Sequence, residues 1–217
     1  MVAPHPDDET LGCGGTLLKH KKKKDKIFWL IVTNINEKDG WSKRIVIQRQ
    51  KEIEKVKKLY SFNDCFKLNF PTTKLDQIPR QDLVSKISKT ISIVKPNIVY
   101  LNNHSDIHTD HQITFEAVMS ATKNFRSPSI KKILMYETLS ETEFAPPLDG
   151  FTFVPNVFND ITPFFSKKID ILKIYKSEIM KDYFPRSLSA VKSLASIRGS
   201  KIGVKYAESF CLLHEFM

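Results

Sequence analysis

Pro4-His5-Pro6-Asp7-Asp8-Glu9-Thr10-Leu11-Gly12-Cys13-Gly14-Gly15 is the stretch on which the reading of this chain turns. Val2-Ala3 before it reads as the end of an apolar strand, and Thr16-Leu17-Leu18 after it opens the apolar face of a helix. The acidic run therefore sits on a strand-to-helix turn, which in an open parallel sheet is the edge where ligands bind. Histidine nitrogen and carboxylate oxygen are the donors that zinc accepts, with about three protein ligands in a catalytic site and one position left for water. His5 and Asp8 are three residues apart on a turn stiffened by Pro4 and Pro6, so both can reach one ion. A helix cap would explain a single carboxylate at the positive helix end. Three adjacent acids repel one another unless a cation lies among them.

A second cluster, Asn103-His104-Ser105-Asp106-Ile107-His108-Thr109-Asp110-His111-Gln112, follows the apolar run Asn97-Ile98-Val99-Tyr100-Leu101. It holds three of the six histidines, again at a strand end. His108 and His111 have the spacing that places two side chains on one face of a helical turn.

Outward from these two turns, strands and helices alternate. Leu11 to Lys24 reads as a helix and Lys26 to Thr33 as a strand apolar on both faces. Ser42 caps a helix to Tyr60 with Ile53, Val56 and Leu59 in its stripe. Cys65 to Phe70 is a strand, Asp82 to Val94 a helix stopped before Pro96, Ile113 to Asn124 a helix and Lys132 to Glu137 a strand. The alternation predicts a parallel sheet with right-handed crossovers. Beyond Thr138 the pattern changes to a loop, an extended run from Phe151 to Phe158, helices over Lys167 to Lys181 and Ser187 to Arg198, and an extended Val204 to Leu213. This later part is read as one domain with the rest, spanning 1–217, and as a wall of the substrate cleft. Val2-Ala3 is shorter than a usual strand, so either the first strand is brief or the start lies upstream. Gly12, Gly14 and Gly15 miss the G-x-G-x-x-G pattern because Leu17 stands at its last position, which argues against a dinucleotide site.

At 217 residues, 41% hydrophobic and 27% charged, the composition is that of a globular chain with one sizeable core. No apolar run reaches the ~18 residues that mark a spanning helix. The active-site turn leaves no space for a signal peptide, and three scattered cysteines without a C-x-x-C pair fit a reducing cytoplasm. The net charge of +10 comes almost wholly from lysine, densest at Lys19 to Lys24. Without interleaved aromatics this is a solvated surface and not a specific nucleic-acid face. It also suits an anionic substrate or peripheral contact with an anionic membrane.

Residues 3 to 15, together with Asp106-Ile107-His108-Thr109-Asp110-His111, resemble the two signature motifs of the PIG-L/LmbE-like zinc-dependent N-deacetylases. Weaker likeness extends through Val32-Thr33-Asn34, Arg49 with Glu52, Asn159-Asp160-Ile161-Thr162, and Arg198-Gly199 with Tyr206 to Phe210. The resemblance implies a Rossmann-like three-layer α/β sandwich with a mostly parallel sheet. It also implies removal of acetyl from an N-acetylglucosamine-type conjugate carried on a lipid, a thiol precursor or a nucleotide.

Spacing alone leaves open which of Asp7, Asp8 and Glu9 binds metal and which acts as base. By the resemblance, His5, Asp8 and His111 ligate Zn2+ (or another divalent ion such as Fe2+) and Asp7 is the general base. By the same likeness His108 is the acid or oxyanion partner, Asp110 holds His108 oriented and cationic, and Arg49 contacts substrate. For Arg49 the alternative is a surface ion pair with Glu52 of under ~1 kcal/mol. Glu9 is given a structural role near the helix start, His104 is read as an exposed loop residue, and Cys13 as a small buried apolar one. Two rivals remain: a metal-dependent amidohydrolase of another N-acyl substrate, and an inactive basic binding module on the same fold.

Overall fold

A computed structural model describes residues 1–148, 150 and 152–216. Its centre is β2 (Phe28–Asn34), whose middle residues are all buried. Leu30 and Val32 point to one face of the sheet, Trp29 and Ile31 to the other, as the two-residue period of a strand dictates. β1 (Val2–Ala3) pairs parallel to it through Val2–Leu30 and Ala3–Ile31, and β3 (Asp64–Pro71) pairs parallel on its far side. β4 (Ile98–Asn102) and β5 (Lys132–Tyr136) form a second parallel pair. β7 (Ala207–Glu215) then runs antiparallel to both β5 and β6 (Val157–Asp160), giving the order β4-β5-β7-β6.

The two sheets meet where β1 lies beside β4. The chain leaves β1 towards β2 and β3, then returns to lay β4 on the other side. That reversal is a topological switch point, and the loops after β1 and β4 flank its crevice.

Helices cover both faces, making three layers. α1 (Asp8–Lys22) and α2 (Lys43–Tyr60) bury Leu17, Ile53, Val56 and Tyr60 against Trp29 and Ile31. α3 (Arg80–Val94) and α4 (Thr109–Ala121) bury Leu83, Ile87, Ile113 and Val118 against Leu30 and Val32. Ser42 caps α2, its hydroxyl accepting the Ile45 N–H at 3.4 Å. The close approach of α1 explains its glycines: a methyl on Gly12 would enter the Tyr136 ring, and one on Gly14 would lie 2.7 Å from the Tyr60 hydroxyl. Cys13 is buried there among apolar neighbours.

Several expected boundaries move. α1 and α4 begin at Asp8 and Thr109 instead of Leu11 and Ile113, so the polar residues of both turns form the first helical turn. The run expected as a helix from Lys167 to Lys181 is α5 (Phe165–Leu172) and stops early. Past Leu172, tight turns such as Tyr175 N–H to Leu172 carbonyl (3.0 Å) swing Tyr175 inward. α6 (Leu188–Ser200) follows, capped by Ser187. Of the extended run expected from Phe151, that residue lies outside the described ones, and β6 forms only after Pro155, which has no N–H for a ladder. Lys19 and His20 are half-buried rather than solvated: the lysine reaches Asn159 and the imidazole meets the Tyr100 hydroxyl at 2.8 Å. Lys21 to Lys24 are exposed as expected. No helix among the described residues is long and apolar enough to cross a membrane.

Candidate active site

The turn after β1 and the start of α4 bring three donor atoms together. His5 Nδ1 lies 3.2 Å from His111 Nε2, His111 Nε2 lies 3.4 Å from Asp8 Oδ2, and His5 Nδ1 lies 3.6 Å from the same oxygen. Donors placed tetrahedrally at zinc–ligand distances of 2.0–2.1 Å stand about 3.3 Å apart. The triangle therefore has the size such an ion requires, and its three members come from positions 5, 8 and 111.

Behind each imidazole stands a carboxylate. His111 Nδ1 is 2.8 Å from Asp106 Oδ2, whose other oxygen accepts from Thr142 Oγ1 at 2.6 Å. His5 Nε2 is 3.0 Å from Asp110 Oδ2. Each pairing keeps a proton on the far ring nitrogen and turns the near lone pair towards the triangle. Burial opposes charge on His5, but Asp110 and Asp8 outweigh it and lift its pKa to about 9. His111 is raised well above its ordinary value in the same way, by Asp8 and Asp106 against burial. Burial works against the Asp8 anion too, yet the two imidazoles hold its carboxyl far below the usual range.

The Asp110 carboxylate accepts from Thr73 N–H at 2.7 Å and Leu75 N–H at 3.2 Å and lies 3.0 Å from His5 Nε2, in one donor cluster with His5 and His108. His108 is the N-cap of α4, and its Nδ1 accepts the Asp110 backbone N–H at 3.0 Å. A ring nitrogen that accepts carries no proton, which leaves the neutral tautomer with hydrogen on Nε2. Burial, with the rings of His5 and His111 beside it, lowers its pKa to about 4.

Asp7 is the N-cap of α1 at φ 133°, a backbone conformation that a residue with a side chain rarely adopts. It is buried, and burial together with Asp8 raises its carboxyl pKa well above the ordinary value. Glu9 is fully buried and accepts from Thr10, Tyr175 and the Asp7 N–H, and burial lifts it to about 7. Arg49 is committed to the protein: Nη1 donates to the Pro6 carbonyl at 2.9 Å, Nη2 to Ser177 and Glu178, and Nε lies 3.4 Å from Glu52. Glu178 and Arg186, whose Nη1 is 3.5 Å from Asp7 Oδ2, escaped the sequence reading. His104 is exposed, edging Phe115, and belongs to no donor set.

His5, Asp7, Asp8, His108 and His111 line a cavity of about 360 Å³, walled also by Trp41, Ile45 and Arg49 and by Leu139, Glu141 and Arg186. Leu139, Glu141, Glu178 and Arg186, all from beyond Thr138, line this cavity. A larger hollow, about 830 Å³, opens at the opposite sheet edge beside Lys24 and Lys95 and contains none of the acidic turn or histidine loop.

Residues 1–122 match the family model described as PIG-L, GlcNAc-PI de-N-acetylase. The chain belongs to the PIG-L family. Among its relatives is the uncharacterized deacetylase YaiS of Escherichia coli, 30% identical over 81% of this chain and 89% of that protein. A second is the diacetylchitobiose deacetylase of Thermococcus kodakarensis, 24% identical over 95% of this chain and 79% of that one. The crystal structure of the conserved protein TT1542 from Thermus thermophilus has the same fold, with a TM-score of 0.81, 24% identity, and coverage of 100% and 94%. This PIG-L chain is accordingly a deacetylase of the LmbE-like fold.

Proposed function

We propose that this protein hydrolyses the acetamide of an N-acetylated amino sugar in a metal-dependent reaction, with zinc as the working ion. The observation that carries the reading is the triangle of His5, Asp8 and His111, sized for a divalent ion and facing a cavity that also exposes a carboxylate and a neutral imidazole. A divalent ion held there lowers the pKa of the attacking water and polarises the amide carbonyl.

The remaining chemistry belongs to the chain. Asp7, held in a dry pocket with a raised proton affinity, takes the proton of the attacking water. His108, with its hydrogen on Nε2, donates to the oxygen that becomes negative as the carbonyl is attacked. The proton gathered by Asp7 then passes to the departing amine. Arg49 braces the Pro6 carbonyl beside the base and presents part of its stem to the cavity, which makes it a wall of the substrate site.

The amino-sugar preference follows the family description and the chitobiose-acting relative. The net charge of +10 favours an anionic carrier, lipid- or nucleotide-linked. We assign the activity to the cytoplasm and to the whole of residues 1–217 acting as one domain. Amine release from N-acetylglucosamine conjugates, nucleotide-linked N-acetyl sugars and simple acetamides, with bound metal measured in parallel, tests the reading. Turnover of an N-acetyl sugar that is abolished by a chelator and restored by zinc is expected. Turnover of simple acetamides alone would favour an amidohydrolase of other substrates, and no chelator-sensitive turnover at all would leave a binding module.

A further inference from the structure

We propose that Arg186 positions Asp7 for catalysis, as one member of a closed ring of charges that ties the segment between α5 and α6 to the turn after β1. The inference rests on the reading of Asp7 as the base.

Arg186 Nη1 stands 3.0 Å from Glu178 Oε2 and 3.5 Å from Asp7 Oδ2. The other Glu178 oxygen accepts from Arg49 Nη2 and from Ser177 Oγ. Arg49 Nη1 donates to the carbonyl of Pro6, the residue before Asp7, and so closes the ring. Asp7, Arg186, Glu178 and Arg49 thereby alternate in sign around one backbone unit.

Three observations separate this from an ordinary surface ion pair. Asp7 and Arg186 line the same cavity as His108 and His111. Asp7 is held at a positive φ, so the direction of its carboxylate is imposed by its surroundings. Arg186 Nε is buried without a hydrogen-bond partner, so the guanidinium is placed to satisfy the two carboxylates and leaves a donor unmet.

The unequal distances carry the mechanism. A base paired tightly with a cation accepts a proton poorly, whereas one left without orientation reacts in the wrong place. Glu178 takes the shorter contact, so Asp7 is aimed without being fully neutralised.

The test is a double-mutant cycle in the metal-loaded enzyme, read as amine release from N,N′-diacetylchitobiose and from N-acetylglucosamine. Arg186→Met is expected to lower kcat about a hundredfold with KM and bound zinc unchanged, and Arg186→Lys to recover part of the loss. In the Asp7→Asn background the same change should cost nothing further, since residues acting through one another are not additive. Full activity in Arg186→Met, or an undiminished second loss in Asp7→Asn, overturns the proposal. An active Asp7→Asn instead overturns the base assignment, a different result. If the Met variant does not fold, Arg186→Lys takes its place in the cycle. If neither sugar is turned over, the cycle is read by urea unfolding of the zinc-loaded protein. Coupling between positions 7 and 186 then supports the ring, and additive effects overturn it.

Discussion

The turns after β1 and β4 and the segment joining α5 to α6 reach the same cavity by different routes. The two turns carry their donors within a few residues, at strand ends, on backbone that the sheet holds fixed. The joining segment delivers Tyr175, Ser177, Glu178 and Arg186 from irregular backbone, and each side chain acts on a residue more than a hundred positions away. In the proposed mechanism the turns supply the groups that do the chemistry. The segment supplies their alignment, and substitutions in the two places should differ in kind.

The largest effect is expected at the turns. His111→Ala removes one corner of the donor triangle, so metal analysis after dialysis should find no bound zinc and amine release should fall to background. Stoichiometric zinc in that variant would break the division of labour. Asp7→Asn should keep the ion but lose about 10²–10⁴-fold in turnover, measured against metal content in the same sample. Next come the carboxylates behind the imidazoles. Asp106→Asn and Asp110→Asn should each weaken zinc about 10–100-fold in a competition titration with a chelator. A loss at Asp110 comparable to that at Asp106 would sharpen the assignment of Asp110 to His5. The smallest effect belongs to the joining segment. Tyr175→Phe takes away the donor at 3.0 Å to the buried Glu9 and should lower stability in urea by about 1–3 kcal/mol while zinc affinity stays unchanged.

The same contrast explains what was legible in the sequence. The sheet, its helices on both faces and the presence of two donor-rich turns are written in local patterns: doubly apolar strands, a capped helix at Ser42, and His and Asp at strand ends. Helix starts at Asp8 and Thr109 were misplaced because polar site residues hide the apolar period that marks a helix. The orientation of Asp110 towards His5 was out of reach, since it depends on Thr73 and Leu75 arriving from the far side of β3. Arg186 and Glu178 lie in a lysine-rich stretch with no period to single them out. One signal was present, however. Only six of the 34 basic residues are arginine, and arginine is favoured where one fork must meet fixed carboxylates. Arg49, Arg186 and Arg198 all do so, the last with two bonds to Glu137 at 2.8 and 2.7 Å.

Under the proposed reading, the seam between β1 and β4 would give a bound metal a second duty. Among the described residues the two sheets share no strand ladder there, and the Tyr136 hydroxyl reaches the Val2 carbonyl at 2.9 Å beside it. An ion gripped by His5 on one side and His111 on the other is a rivet through that joint. It binds only when both halves are assembled, so each tenfold excess of free ion over its dissociation constant adds about 1.4 kcal/mol against unfolding. Stripping the ion should therefore loosen the molecule along this line first, with backbone amides at the ends of β1 and β4 exchanging faster than those buried deep in β2.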